Sequence, residues 1–126
     1  MGMIGLDTCF LIDFFNGDPG ARTIIEQSSD VCICEHAIYE FLRGKITTEQ
    51  ESNFYEFISQ TRSFMFDRKA AVHAAKLYRQ AQRQGNTLDG PDLLIAVTYM
   101  VNGVSTIITR NNKHFAGIPG ITVRSY

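Results

Sequence analysis

Four carboxylates stand in surroundings that leave them few surface roles. Asp7 ends the apolar run Met3–Leu6, and Glu40 lies among Ala37, Ile38, Phe41 and Leu42. Asp89 and Asp92 precede the nearly unbroken apolar stretch that starts at Leu93. Acids brought within a few ångströms raise one another's pKa, so such a cluster is unstable alone. A bound divalent cation removes that cost. Magnesium takes hard oxygen ligands and keeps several waters, which suits an Asp/Glu set without histidine or cysteine. One or two such ions can activate a water and neutralise charge on a leaving oxygen, the logic of metal-assisted phosphodiester hydrolysis.

Each acid also has a plain structural reading. Asp7 has the type and place of a helix N-cap after a strand. Asp89 and Asp92 have capping-box spacing, with Asp89 as the cap. Glu40 has Arg43 at i+3 as a partner, and Asn111 suits the cap of a short turn over Asn111 to Phe115. The case for a site rests on whether these residues meet.

The elements that would position them can be read from pattern. Met3–Leu6 reads as a buried strand, and the apolar stretch from Cys9 to Phe15 as a helix closed by Asn16-Gly17. Asp18-Pro19 starts a helix to about Gln27, with Asp as N-cap and Pro at the first helical position. Val31–Cys34 is a second strand, and His36–Arg43 a short helix stopped by Gly44. Thr47-Thr48-Glu49-Gln50 resembles a capping box and opens a helix through about Gln60. Ser63–Phe66 alternates as a strand does. Asp67 caps a helix from Arg68 to about Gln84, whose alanines join Val72 and Leu77 in an apolar face. A buried helix from about Gly90 to Asn102 follows, then strands at Ser105–Thr109 and Ile121–Arg124.

Strands separated by helices imply parallel βαβ units with helices on both faces of a sheet. Sites in such folds form beyond the carboxyl ends of the strands. Asp7, Glu40, the Asp89/Asp92 pair and Thr109-Arg110-Asn111 are all expected at that edge.

Composition narrows the remaining options. A chain of 126 residues with 44% hydrophobic and 20% charged residues builds one core and is not disordered. No segment approaches the roughly 20 apolar residues that span a bilayer. Met1-Gly2-Met3-Ile4-Gly5 lacks a basic start and a long apolar run, so a cytoplasmic location is expected. The net charge of −1 excludes a polycation but leaves room for a local basic patch. The three cysteines, Cys9, Cys32 and Cys34, are an odd count in apolar surroundings and read as buried small hydrophobes. A metal reading of Cys32 and Cys34 would need a further soft ligand, for which His36 is the only neighbour.

Four segments in order resemble the PIN-domain nucleases, specifically the VapC-type toxins of prokaryotic toxin–antitoxin pairs. They are Ile4-Gly5-Leu6-Asp7-Thr8-Cys9-Phe10-Leu11-Ile12-Asp13, Ala37-Ile38-Tyr39-Glu40-Phe41-Leu42-Arg43-Gly44, Asp89-Gly90-Pro91-Asp92-Leu93-Leu94-Ile95-Ala96 and Thr109-Arg110-Asn111-Asn112-Lys113-His114-Phe115. The resemblance covers the whole chain, residues 1–126, as one domain. It implies a PIN-like three-layer α/β/α sandwich around a parallel sheet of about five strands, and endoribonuclease activity dependent on Mg2+ or Mn2+. Asp7 and Asp92 would then be the principal metal ligands, Glu40 a ligand or water-orienting base, and Asp89 an accessory acid. Thr8 and Thr109 would hold carboxylates or phosphate. A fourth acidic position of many family members is Asn111 here, whose amide offers a carbonyl oxygen but no charge.

The resemblance further implies an RNA substrate, a VapB-type antitoxin that covers the groove near the site, and a homodimer. Phe14, Phe15, Tyr39 and Phe41 are candidates for such surfaces, or for the core. Arg43, Arg110 and Lys113, with Lys45, flank the acids and are candidate phosphate contacts. His114 is not read as a base, since water on a metal needs no histidine. The alternative class is a catalytically silent PIN-like module that binds RNA or protein, favoured by Asn111 and opposed by the four acids. A haloacid-dehalogenase-like phosphatase would need a second Asp at Cys9, and a receiver domain paired acids ahead of its phospho-acceptor Asp, which the N-terminus lacks.

Overall fold

The computed structural model describes residues 2–88 and 90–126. The chain runs β1 (Ile4–Leu6), α1 (Thr8–Phe15), α2 (Pro19–Gln27), β2 (Val31–Cys34), α3 (Glu35–Leu42) and α4 (Thr48–Ser59). It continues through β3 (Arg62–Phe64), α5 (Arg68–Arg83), α6 (Pro91–Met100), β4 (Thr106–Ile108), α7 (Asn112–Phe115) and β5 (Thr122–Arg124). The strands form one sheet in the order β3-β2-β1-β4-β5, and every neighbouring pair is parallel. With its flanking helices this is the expected three-layer α/β/α sandwich.

The strand order places the site. From β1 the chain steps outward to β2 and β3 on one side, then returns to add β4 and β5 on the other. Connections leaving the carboxyl ends of β1 and β4 therefore diverge, and a crevice opens at that switch point. Leu6 is paired with Ile108 across it, so the residues that follow, Asp7 and Thr109, emerge side by side.

Local signals account for most helix starts. Asp18 Oδ2 accepts the Ala21 N–H at 2.9 Å, with Pro19 opening α2. Thr47 and Gln50 close a reciprocal capping box on α4, at 3.0 Å each way. Asp67 Oδ1 accepts the Ala70 N–H at 3.0 Å, capping α5. α6 starts at Pro91, with Gly90 at the N-cap position and, among the described residues, no side-chain capping bond. Gly90 has φ +84°, a conformation other residues rarely adopt. Asp92 falls in the first turn of α6. Asp89 lies outside the described residues.

Two further differences follow from packing. β3 begins at Arg62 and ends at Phe64 because its partner β2 ends there, at the Cys34↔Phe64 pair. Met65 and Phe66, expected inside the strand, are exposed. α5 buries Ala70, Ala74, Leu77 and Ala81, a run spaced four, three and four, which leaves Val72 on the far side and 50% exposed. Of the aromatic residues proposed for core or surface, Phe41 is buried, stacked on Phe54 at 4.2 Å between centroids. Phe14 and Phe15 are half-buried against the same cluster, while Tyr39 is exposed. All three cysteines are free and buried. Burial pushes the Cys34 thiol up to about 11 and the Cys32 thiol up to about 12, so both stay protonated and unreactive.

Candidate active site

Asp7 is both a cap and a site residue. Its Oδ1 accepts the Thr8 N–H at 2.8 Å and starts α1. Its Oδ2 accepts the Thr109 hydroxyl at 2.7 Å and the Cys9 thiol at 3.3 Å. Thr109 Oγ1 in turn accepts the Asn111 N–H at 3.0 Å, so one hydroxyl links the end of β4 to the carboxylate after β1. Asp7 is 4% exposed, and these bonds fix the orientation of its carboxylate. Charge-assisted bonds of this kind are the shorter and stronger ones. The Cys9 thiol is raised by burial first and by the Asp7 charge second, which keeps it a protonated donor.

Glu40 reaches the same place from α3, whose opposite face buries Ala37 and Phe41. Its Oε1 accepts the Thr8 hydroxyl at 2.7 Å. Its Oε2 faces Arg43 Nη2 at 3.6 Å and His36 Nε2 at 3.9 Å. Thr8 therefore supplies its N–H to Asp7 and its hydroxyl to Glu40, setting one acid against the other.

Asp92 comes from the first turn of α6, an apolar helix held in the core by Leu93, Ile95, Ala96, Val97 and Tyr99. Its Oδ2 lies 3.2 Å from His114 Nδ1. Burial raises the Asp92 pKa most, and the neighbouring charges of Asp7 and Glu40 add to it. That is the signature expected of acids crowded without a cation among them.

A cleft of about 310 Å³ opens over this group, lined by Asp7, Glu40, Asp92, Thr8, Arg43 and Asn111 among others. Asn111 occupies the N-cap position of α7 but makes no capping bond through its side chain. Thr109 is buried behind Asp7. Two of the anticipated phosphate contacts stand elsewhere. Arg110 Nη1 donates to both Asp13 carboxylate oxygens at 2.7 Å, and Tyr126 donates its hydroxyl to the same carboxylate at 2.5 Å. Its positive charge is thereby committed outside the cleft. Lys113 is exposed on α7 and does not line the cleft.

Three residues at the site carry no functional assignment from sequence: Cys9 and His114, which line the cleft, and His36, which faces Glu40. Cys9, by sequence only a small hydrophobe, contacts Thr109 Oγ1 at 3.1 Å and so joins positions 100 residues apart. His114 was set aside as a base but contacts Asp92; its place three residues after Asn111, on one side of α7, was the available signal. His36 stands at i−4 from Glu40, a helical spacing readable in advance.

The donor set fits a hard divalent cation. Three carboxylates on three elements face one cleft, and their mutual repulsion is the cost a cation would remove. Among the described residues no group of three His, Cys, Asp or Glu side chains stands close enough together to hold a metal ion by itself. A magnesium-type ion needs only one or two carboxylates, with water filling the rest of its shell.

Comparison with known proteins identifies the family. The PIN domain family matches residues 4–120. Ribonuclease VapC1 of Methanocaldococcus jannaschii is 27% identical over 121 residues, covering 96% of this chain and 85% of that protein. A toxin–antitoxin complex from Klebsiella pneumoniae superposes with TM-score 0.77 at 28% identity, covering 94% of this chain and 95% of the other. DNA-bound VapBC from Salmonella typhimurium superposes with TM-score 0.82 at 24% identity, over 99% and 98% of the two chains, and shares the fold. With the match spanning nearly the full length and the acids of β1, α3 and α6 meeting at the switch point of the sheet, the chain belongs to the PIN domain family.

Proposed function

We propose that this chain is a divalent-metal-dependent endoribonuclease, the toxin of a VapBC-type pair. The observation that carries the reading is the meeting of Asp7, Glu40 and Asp92, from three elements, in one cleft. The relative named a ribonuclease and the toxin–antitoxin complexes of the same fold support the substrate class and the partner. Asp7 and Asp92 would hold Mg2+ or Mn2+, with Glu40 as a further ligand or the base that orients water. Asp89 is the proposed accessory acid. When bound, the cation supplies Lewis acidity that activates water and neutralises charge on the leaving oxygen.

The chain's own residues do the positioning. Thr8 and Thr109 lock the first acid, and Thr8 aims one oxygen of Glu40. Arg43, facing the other oxygen, is placed to exchange that contact for a substrate phosphate. Asn111 offers its amide to water or to the substrate. In this reading residues 1–126 act as one domain in the cytoplasm, as a homodimer held inactive by a VapB-type antitoxin.

The test is cleavage of pooled cellular RNA by antitoxin-free protein with magnesium, manganese or EDTA, beside Asp92→Asn. Metal-dependent products absent from the variant are expected, and equal cleavage by both proteins would refute the assignment. The uncharged Asn111 favours one other reading, a catalytically silent PIN-like module that binds RNA or protein. No cleavage by either protein would select it.

A further inference from the structure

One side chain beside the cleft, Tyr39, has no part in the chemistry above. On α3, Ala37 and Phe41 turn inward, and His36, Tyr39, Glu40 and Arg43 share the outward strip at spacings of three and four. Tyr39 is 59% exposed, more than most large hydrophobic side chains of this chain. The Arg43 guanidinium lies 5.4 Å from its ring centroid, and the His36 ring 6.3 Å away at 59°. The two planar groups that flank the Tyr39 ring also flank one acid, since Arg43 Nη2 and His36 Nε2 face Glu40 Oε2.

A phenol ring left in water beside a cleft for a phosphodiester has an evident use. Single-stranded nucleic acid is gripped by aromatic faces that stack on bases, with arginine supplying charge and a further planar surface. The strip is continuous with the cleft, because Arg43 belongs to both. A base stacked on Tyr39 would place its neighbouring phosphate toward Arg43 and the acids.

We propose that Tyr39, flanked by Arg43 and His36, is a nucleobase-stacking subsite that seats one unpaired base of single-stranded RNA next to the scissile phosphate. The inference rests on the ribonuclease reading and adds a specificity element to it. Such a platform requires an unpaired base and tolerates several base identities. Substrates are thereby restricted to loops, bulges and ends.

The experiment measures binding of a short single-stranded oligoribonucleotide by fluorescence anisotropy in an Asp92→Asn background, which leaves the strip intact and prevents turnover. Tyr39→Ala is expected to weaken binding about tenfold, the stacking of one base, while Tyr39→Phe stays within twofold. Oligonucleotides with one abasic position, moved along the strand, should reveal one position whose loss weakens the parent protein about tenfold and Tyr39→Ala no further. Because Tyr39 is exposed, both variants should fold, which thermal unfolding would verify. Equal binding by Tyr39→Ala, in a protein whose Asp92 form still cleaves RNA, overturns the platform and leaves the nuclease standing. Equal binding with loss of antitoxin capture would instead make the strip a protein-docking surface. Absence of both cleavage and binding overturns the ribonuclease reading together with this one.

Discussion

The ring of Tyr99 packs so closely on Gly5 that a Cβ there would stand 2.8 Å from three of its ring carbons. The ring has little freedom to retreat. Its hydroxyl donates to the Leu6 carbonyl at 2.6 Å and accepts the Cys34 N–H at 3.0 Å, bridging the ends of β1 and β2. α6, which carries Asp92, is thus keyed into the strand that leads to Asp7. Gly5→Ala is expected to cost about 1–3 kcal/mol by overpacking, lowering the thermal midpoint by several degrees in circular dichroism melts. An unchanged midpoint would mean that the ring yields freely and does not register the two elements.

That contact marks the boundary of what could be read in advance. Interactions spanning three or four residues were legible, because Asp18, Thr47 and Asp67 each reach an N–H three positions on. The sheet was legible too, through apolar runs divided by helical patterns, and strand ends pointed to one edge. Contacts across the fold were not. Gly5 under Tyr99, Cys9 on Thr109 and Arg110 on Asp13 depend on which elements become neighbours and at what depth. Arg110 was the clearest loss: its charge suggested phosphate, and only the fold shows that a partner 97 residues away has claimed it.

Thr109→Val tests the brace on Asp7. The substitution keeps the shape but removes the hydroxyl that donates to Asp7 Oδ2 and accepts from Asn111. Stability should fall by about 1–3 kcal/mol, as for a buried partner left unpaired. Metal affinity or cleavage rate should fall about 10–100-fold. Thr109→Ser, which keeps the hydroxyl, should recover most of the activity. Full activity in Thr109→Val with loss in Thr109→Ser would show that packing of the methyl, and not the hydrogen bond, is what matters.

Asp92 links function to pH and stability. Its folded pKa is raised above 3.8 by burial and by Asp7 and Glu40, so folding favours the protonated form. The associated stability is fully present below pH 3.8 and is lost as pH rises through the elevated folded value. At neutral pH the ionised carboxylate therefore strains the site. Asp92→Asn should raise the thermal midpoint at pH 7 while abolishing cleavage, and it should flatten stability across the acidic range. Magnesium or manganese should raise the midpoint of the parent protein, by selective binding to the folded state, and should barely affect the variant. A variant less stable than its parent at pH 7, or equal metal responses, would contradict this account.

Arg110 and Arg43 should separate cleanly, although each is a basic residue close in sequence to a proposed site residue. Arg110 is bound to Asp13, whose carboxylate also receives Tyr126, and Tyr126 packs edge-on against Phe10 at 4.9 Å. Arg110→Ala leaves Asp13 with one partner and loosens that corner. The pair is partly exposed, so a loss of about 1 kcal/mol is expected, with RNA affinity and its salt dependence little changed. Arg43 lines the cleft and, among the acids of the described residues, faces only Glu40. Arg43→Ala should leave the thermal midpoint nearly constant, weaken RNA binding and reduce the slope of log affinity against log salt by roughly one phosphate contact. Salt titrations of oligonucleotide binding, run beside thermal melts for both variants, decide the matter. A salt slope altered by Arg110→Ala as much as by Arg43→Ala would show that the Asp13 contact opens on binding and that both arginines reach the backbone.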